Sequence, residues 1–158
     1  MADQKPPRLT GDERETVTAL LQYQRNSFVK KISGINEEAA RRRGVPSGMS
    51  LLWLIKHMAR AESVWLLQRF AGQEPVVEDD EVGPADTVQS AITCYQQTWV
   101  RADAVVAAAG DLDELCVEVG EEAPVNLRWV LMHLLEETAR HAGHADILRE
   151  RIDGATGR

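Results

Sequence analysis

The chain has 158 residues, of which 44% are apolar and 27% charged, and its formal net charge is −7. This length and composition are typical of one soluble globular domain with a substantial core. The acidic balance argues against a nucleic-acid surface, which needs positive charge to displace counterions, and no apolar run approaches the ~20 residues of a membrane span. The N-terminus lacks the apolar segment of a secretory signal, so we expect a cytoplasmic location.

Helical periodicity predicts four long amphipathic helices, near residues 10–33, 48–71, 85–109 and 126–152. Residues 1–9 are expected to form a flexible tail, so that a single domain spans residues 10–158. Thr10 followed by Glu13 matches a capping box that would open the first helix. Gly34 would end that helix in a left-handed conformation.

The connection after the first helix carries helix-capping and charge signals. Asn36 can cap a short helical turn, and Arg41–Arg43 follow at its expected end, where positive charge complements the helix dipole. Phosphate binding by this basic cluster is the weaker interpretation. Ser47 or Ser50 is expected to cap the second long helix.

Two longer connections follow. Residues 72–84 are acidic, contain two prolines and are expected to form a loop that is either a lid or plain surface. Residues 112–125 alternate weakly in hydrophobicity, which predicts an extended loop or a short strand, and Asn126 caps the last helix. Four long helices with connections of about 14 residues are typical of a four-helix bundle, so the predicted fold class is all-α.

The two cysteines are not expected to form a structural disulfide in a chain that looks cytosolic. Cys94 lies in a helical pattern and is expected in the core. Cys116 follows a loop and is expected to be more accessible.

The last predicted helix carries three of the four histidines. His133, Glu137, His141 and His144 are spaced by four, four and three residues, so they stack along one side of a helix. At about 100° per residue, His141 falls inside the apolar face, Glu137 and His144 lie on its edge, and His133 lies a little further out. Glu136 points away from it. Imidazole and carboxylate groups are good ligands for a first-row divalent ion.

Two interpretations of this stripe stay open. In the first, His141 is a core histidine that is satisfied by a hydrogen bond with Glu137. In the second, the stripe is half of a metal site, which needs a further ligand from another helix. The fourth histidine, His57, lies on the second predicted helix and favours the metal.

Glu62 lies in the middle of the apolar face of the second helix, with His57 on the edge of that face. A carboxylate in such a position is costly unless it is paired. It is either the buried hydrogen-bond partner of a core Tyr, Trp or Arg, or a group that supports the metal or acts as a general base.

At this point the chain resembles a known family. The pattern LLWLIKHMARAESVW on the second helix, followed by WVLMHLLEETARHAGHADILRERIDG on the last, is similar to the DinB-like superfamily of bacterial four-helix-bundle metalloproteins. The resemblance covers nearly the whole chain and is nearest to an actinobacterial branch. The superfamily is similar in outline to mycothiol- and bacillithiol-dependent S-transferases.

The resemblance implies a set of metal ligands. Many members hold a divalent ion with one histidine on the second helix and an HxxxH pair on the last. His57 matches the first of these, and Glu137 with His141 matches the pair, so a glutamate stands where a histidine is usual. His144 stands where members often carry a glutamine. A His–Glu–His set suits Zn²⁺ best, with Ni²⁺, Mn²⁺ or Fe²⁺ as alternatives.

The function implied by this resemblance is that of a metal-dependent S-transferase, which conjugates a small thiol, with mycothiol as the natural thiol, to an electrophilic substrate. Three protein ligands leave a position at which the thiol binds as a thiolate. His144, Glu62 or His133 would move the proton. A non-catalytic ligand-binding or stress-response protein is the alternative. Pairing into a homodimer through helix faces, with the tryptophans at 53, 99 and 129, is a further expectation; plain core packing is the alternative for these rings.

Overall fold

The computed structural model describes residues 5–118 and 123–156. The all-α helical bundle that the sequence predicts is confirmed. The helices are α1 (Glu13–Ile32), α2 (Glu37–Arg41), α3 (Leu51–Glu62) with a π-helix (Ser63–Phe70) directly after it, α4 (Val88–Ala108) and α5 (Leu127–Asp153). No helix among the described residues is both long and apolar enough to cross a bilayer.

The helices begin at polar capping residues, and two of these differ from the prediction. The carboxylate of Asp12, not Thr10, caps α1 by accepting a hydrogen bond from the Glu15 amide at 2.8 Å. An acid at this position also interacts favourably with the helix dipole. Helix α4 begins at Val88 rather than Ala85, since a capping box with Thr87 as N-cap fixes its start.

The other predicted caps are confirmed. Ser50 is the N-cap of α3, and Asn126 is the N-cap of α5. Asn36 caps the short helix α2, and Arg41 stands in its last turn. The chain leaves α1 through Gly34, whose φ of +74° lies in the left-handed region that glycine tolerates best.

The core lies between the four long helices in two clusters of apolar side chains. One cluster contains Phe28, Ile55, Met58 and Tyr95, all fully buried, together with Leu148 of α5. The other joins the π-helix to α1 and the N-terminal half of α5. Each fully buried Leu, Ile or Met contributes roughly 1.5–3 kcal/mol of hydrophobic free energy, so these clusters hold the helices that carry the candidate ligands.

The periodicity predicted that the second long helix stays α-helical to residue 71, and this was wrong. From Ser63 to Phe70 it is a π-helix, and the amide of Ala71 donates to the carbonyl of Leu66, five residues back. Helical spacing alone does not reveal such a change of winding. The Ser63 hydroxyl accepts from the amides of Val76 and Val77, so this segment holds the start of the acidic loop.

The acidic loop runs back along α3 in the opposite direction to the helix. Side chains at successive turns of α3 and the first residue of the π-helix hold successively earlier loop residues. The contacts pair Lys56 with Glu81, His57 with Asp80, Arg60 with Glu78, and Ser63 with Val76 and Val77. The loop is therefore attached to the helix that carries the candidate ligand His57.

The segment before α5 is an extended loop with an isolated β-bridge between Leu115 and Asn126. Residues 119–122, which the prediction of an extended loop or short strand includes, lie outside the described residues. Both cysteines are free, but their predicted exposure was wrong: Cys94 is exposed and Cys116 is buried. The Cys116 amide donates to the Val125 carbonyl at 2.9 Å, and the side chain belongs to the apolar cluster around the π-helix.

Candidate metal centre

Two contacts fix the ring of His57, one at its edge and one on its face. Its Nδ1 lies 2.8 Å from Oδ2 of Asp80, and the Trp53 ring stacks on it with 4.8 Å between ring centroids and an angle of 19°. A carboxylate accepts, so Nδ1 carries the proton of this hydrogen bond. Nε2 is then the nitrogen with a free lone pair, which is the arrangement found in metal-binding histidines.

Helix α5 supplies the other two candidate ligands one turn apart. Nε2 of His141 lies 3.3 Å from Oε2 of Glu137, and the rings of His57 and His141 are 5.1 Å apart. One ligand atom from each of these three residues lies within 4.8 Å of the other two. The structure thus brings together the three side chains that the sequence singled out.

The chemistry of this donor set fits a divalent ion. Two histidines and a glutamate form a donor set used by catalytic zinc sites, which keep a further position open. Two ligands at about 2.0–2.1 Å from a tetrahedral ion lie roughly 3.3 Å apart. The Nε2–Oε2 separation of His141 and Glu137 is 3.3 Å. The same contact also satisfies a core histidine, so the geometry accommodates both interpretations.

The protonation of His141 favours metal binding. Burial lowers the pKa of His141, the nearby His57 lowers it further, and the Glu137 carboxylate opposes the shift. This shift favours the neutral imidazole, which is the form that a metal ion binds. The second oxygen of Glu137 forms an ion pair with the Arg140 guanidinium at 3.0 Å on its solvent side.

His144 touches the centre without belonging to the three-residue group. Its Nδ1 lies 3.3 Å from Nδ1 of His141. One of the two nitrogens must donate in this contact. When His141 uses Nε2 as a lone-pair donor, its Nδ1 carries the proton and His144 accepts it.

Glu62 is buried in an ion pair with a residue that the sequence did not single out. Its two oxygens accept from Nε and Nη2 of Arg25 at 2.9 and 2.6 Å, and Glu62 itself is 0% exposed. Burial raises the pKa of Glu62, and the Arg25 guanidinium opposes that shift. Arg25 also donates to Asp103 at 2.8 Å. These contacts match the interpretation of Glu62 as the buried partner of an arginine.

His133 packs between aromatic rings. Its ring stacks on Trp129 at 4.8 Å and meets Trp65 edge-on at 5.0 Å. The three tryptophans that were considered for an interface have different surroundings: Trp53 packs on His57, Trp99 is buried, and Trp129 is 44% exposed.

Two residues at this centre were missed by sequence reasoning. Asp80 stands in an acidic run of the loop, where one carboxylate looks like another. Trp53 is one of four tryptophans, and its spacing of four from His57 was the only signal that the two rings meet.

Comparisons with known proteins identify the family and the fold. The family model described as mycothiol S-transferase matches residues 16–154. The crystal structure of a conserved protein from Enterococcus faecalis has a TM-score of 0.66 to this fold, covering 92% of this chain and 100% of that chain at 14% sequence identity. That likeness concerns the fold alone. A search among curated proteins found no significant match.

Proposed function

Because the chain belongs to the mycothiol S-transferase family, we propose that it conjugates mycothiol, through its thiol sulfur, to an electrophilic small molecule in a metal-dependent reaction. His57, Glu137 and His141 are the proposed ligands. The observation that carries the proposal is the convergence of these three side chains, with ligand atoms within 4.8 Å of one another. Zn²⁺ suits the donor set best, with Ni²⁺, Mn²⁺ or Fe²⁺ as alternatives.

A bound ion would supply an open position that lowers the pKa of a thiol and holds it as a thiolate at neutral pH. The sulfur then forms a bond to the electrophilic carbon, and the leaving group departs with its bonding electrons. A thiol acidified in this way would lose its proton to solvent water, so that the step does not require a protein base. Glu137 limits the effect, because a carboxylate lowers the charge of the site by one relative to three histidines.

The surrounding residues orient the ligands. Asp80 accepts the Nδ1 proton of His57, and His144 would accept that of His141, which would leave Nε2 of each ring free to hold an ion. We assign this orienting role to His144 rather than a transfer of protons, because its Nδ1 is occupied by His141. Proton transfer by Glu62 or His133 stays a prediction; the Arg25 ion pair argues against Glu62, since both of its oxygens already accept.

The test uses untagged protein, so that no added histidines bind metal. We expect about one zinc or nickel ion per chain and a rise in melting temperature when the ion is added. With mycothiol and a chlorobimane or chlorodinitrobenzene, the wild type should exceed the uncatalysed rate. His141→Ala should lose roughly 100-fold or more of that rate. Glu136→Ala is the matched control, because Glu136 neighbours Glu137 but pairs with Arg140 at the surface.

Several outcomes would contradict the proposal. Substoichiometric metal with no thermal shift on adding Zn²⁺ or Ni²⁺ would favour the non-catalytic ligand-binding or stress-response protein. Equal loss in His141→Ala and Glu136→Ala would mean that the centre has no special role. Assembly of the chain into a homodimer stays a prediction, for which the elution volume in gel filtration is the measurement.

A further inference from the structure

A second feature lies next to the candidate metal centre. It is a cavity of about 530 Å³, which is large enough for a small organic ligand. The Trp53 ring belongs to its wall and also stacks on His57, so the cavity lies one aromatic ring away from a proposed ligand. The lining residues are Arg41, Arg43, Gly48, Ser50, Trp53, Glu81 and Val82.

Two arginines and one glutamate line this cavity, and among the described residues two of these three side chains, Arg43 and Glu81, are unpaired. Within the described part of the chain, neither the Arg43 guanidinium nor the Glu81 carboxylate has a hydrogen bond or an ion-pair partner, and the two do not pair with each other although they line the same space. An anion would satisfy Arg43 but be repelled by Glu81, and a cation would have the reverse problem. A hydroxyl group both donates and accepts, so a group with several hydroxyls satisfies both side chains.

The Trp53 ring adds an apolar surface to these two polar groups. A sugar or cyclitol ring has hydroxyls around its edge and C–H groups on its faces. Its edge can reach Arg43 and Glu81, and its C–H face can pack on an indole. A lining of this kind fits a neutral, hydroxyl-rich ring better than a simple phosphate or carboxylate.

The walls of the cavity are fixed in advance by contacts outside it. Lys56 donates to the backbone carbonyl of Glu81, and Arg41 donates to the carbonyl of Gly83 at 3.1 Å. Asp80, the residue before Glu81, is bound to His57. These contacts hold the backbone of the loop wall, so ligand binding has to order mainly the exposed side chains of Arg43 and Glu81. Arg41 directs its donors to loop carbonyls, which leaves Arg43 as the arginine free to contact a ligand.

We propose that this cavity binds the sugar-like, hydroxyl-rich part of mycothiol, with Arg43 and Glu81 as the residues that select it. The identity of the ligand rests on the proposed function. The placement allows one molecule to occupy the cavity with its hydroxylated part and to direct its sulfur past Trp53 to the ion. Thiols that lack the hydroxylated part, such as N-acetylcysteine, would lose these contacts.

The test is calorimetric titration of the metal-free protein with S-methylated mycothiol, whose sulfur cannot become a thiolate. We expect binding to wild type and a loss of at least about tenfold in affinity in both Arg43→Ala and Glu81→Ala, since each removes a hydrogen bond to a charged group. The matched controls are Arg42→Ala and Glu74→Ala, at exposed positions outside the cavity. These should bind as the wild type does.

Other outcomes overturn the subsite. They are no binding by wild type at millimolar ligand, equal affinity in Arg43→Ala and wild type, or displacement of the probe by inorganic phosphate. Turnover by zinc-loaded variants separates the two proposals. If mycothiol binding depends on Arg43 and Glu81 but no turnover is seen, the proposed function is contradicted and the proposed cavity site still stands. If both variants turn over mycothiol with an unchanged KM, the proposed function stands and the proposed cavity site is contradicted.

Discussion

The hydrogen bond between Asp80 and His57 gives the sharpest prediction about the metal centre. Asp80→Ala removes the acceptor that holds Nδ1 of His57 at 2.8 Å. The ring can then rotate or take the other tautomer, and its Nε2 no longer points at the ion in every molecule. Asp80→Asn keeps an oxygen acceptor but loses the charge, so it should fall between the alanine variant and the wild type.

The expected loss of metal affinity follows from the partial burial of the two side chains. Removing the partner of a metal-binding histidine costs 10–100-fold in metal affinity. The two side chains are 27% and 25% exposed, for His57 and Asp80 respectively, so water can replace part of the lost interaction. We therefore expect the lower end, about tenfold or 1.4 kcal/mol, for Asp80→Ala. Asp80→Asn should lose about threefold.

The assay is competition for zinc against a fluorescent chelator, with the melting temperature of the metal-free protein as a control for folding. Glu78→Gln is the matched variant: Glu78 lies two residues from Asp80, and its backbone carbonyl, not its side chain, accepts from Arg60. Zinc affinity of Asp80→Ala within twofold of wild type would refute the reasoning. An equal loss in Glu78→Gln would attribute the effect to the charge of the loop as a whole.

The remaining predictions concern Glu62 and Glu137. Glu62→Gln should lower the free energy of unfolding in urea by about 3–5 kcal/mol, because it leaves the buried charge of Arg25 without its main partner, while zinc affinity stays within about threefold. Asp103→Asn, at the 56%-exposed end of the same network, should cost less than about 1 kcal/mol, and an equal cost would contradict the burial argument. Glu137→His should move the acid limb of the pH–rate profile down by about one unit, since removing a carboxylate from the ion favours the thiolate; a limb that stays in place would mean that the thiolate does not bind there.

Much of the fold could be predicted because its signals are local. Caps such as Asn36 and Asn126, and the 3.6-residue spacing of apolar side chains, are readable within one helix. The same periodicity also predicts the exposure of Cys94, which was wrongly expected in the core. Cys94 lies about 100° from the centre of the buried face of α4, and counting that angle predicts its exposure.

The convergence of His57 with Glu137 and His141 was predictable because each lies on or beside an apolar face, and apolar faces of a bundle meet in its core. Only one member of the Arg25–Glu62 pair could be predicted from the sequence. Glu62 on a core stripe demands a partner, but Arg25 is 37 residues away. Several arginines compete for that role in the sequence, and only the packing of α1 against α3 decides between them.

The contacts of the acidic loop could not be predicted from the sequence. Helix α3 buries an apolar face in the bundle, and three of its polar side chains hold the loop: Lys56, His57 and Arg60. The buried Ser63 at the start of the π-helix adds a fourth contact. Each contact depends on the antiparallel course of the loop, which no local pattern encodes. Yet this course puts Asp80 on the ligand His57 and the next residue, Glu81, on the wall of the cavity.

A single displacement of the loop would therefore change the orientation of a ligand and the shape of the cavity together, while the apolar core between the helices stayed as it is. Polar contacts at the surface of α3 are individually weak, about 0.5–1.5 kcal/mol each, so substitutions in the loop can alter the site at little cost to stability. The bundle fixes where the three ligands meet. We infer that the loop orients His57 through Asp80 and completes the cavity through Glu81, so substitutions in residues 76–83 can alter ligand binding while the bundle stays folded.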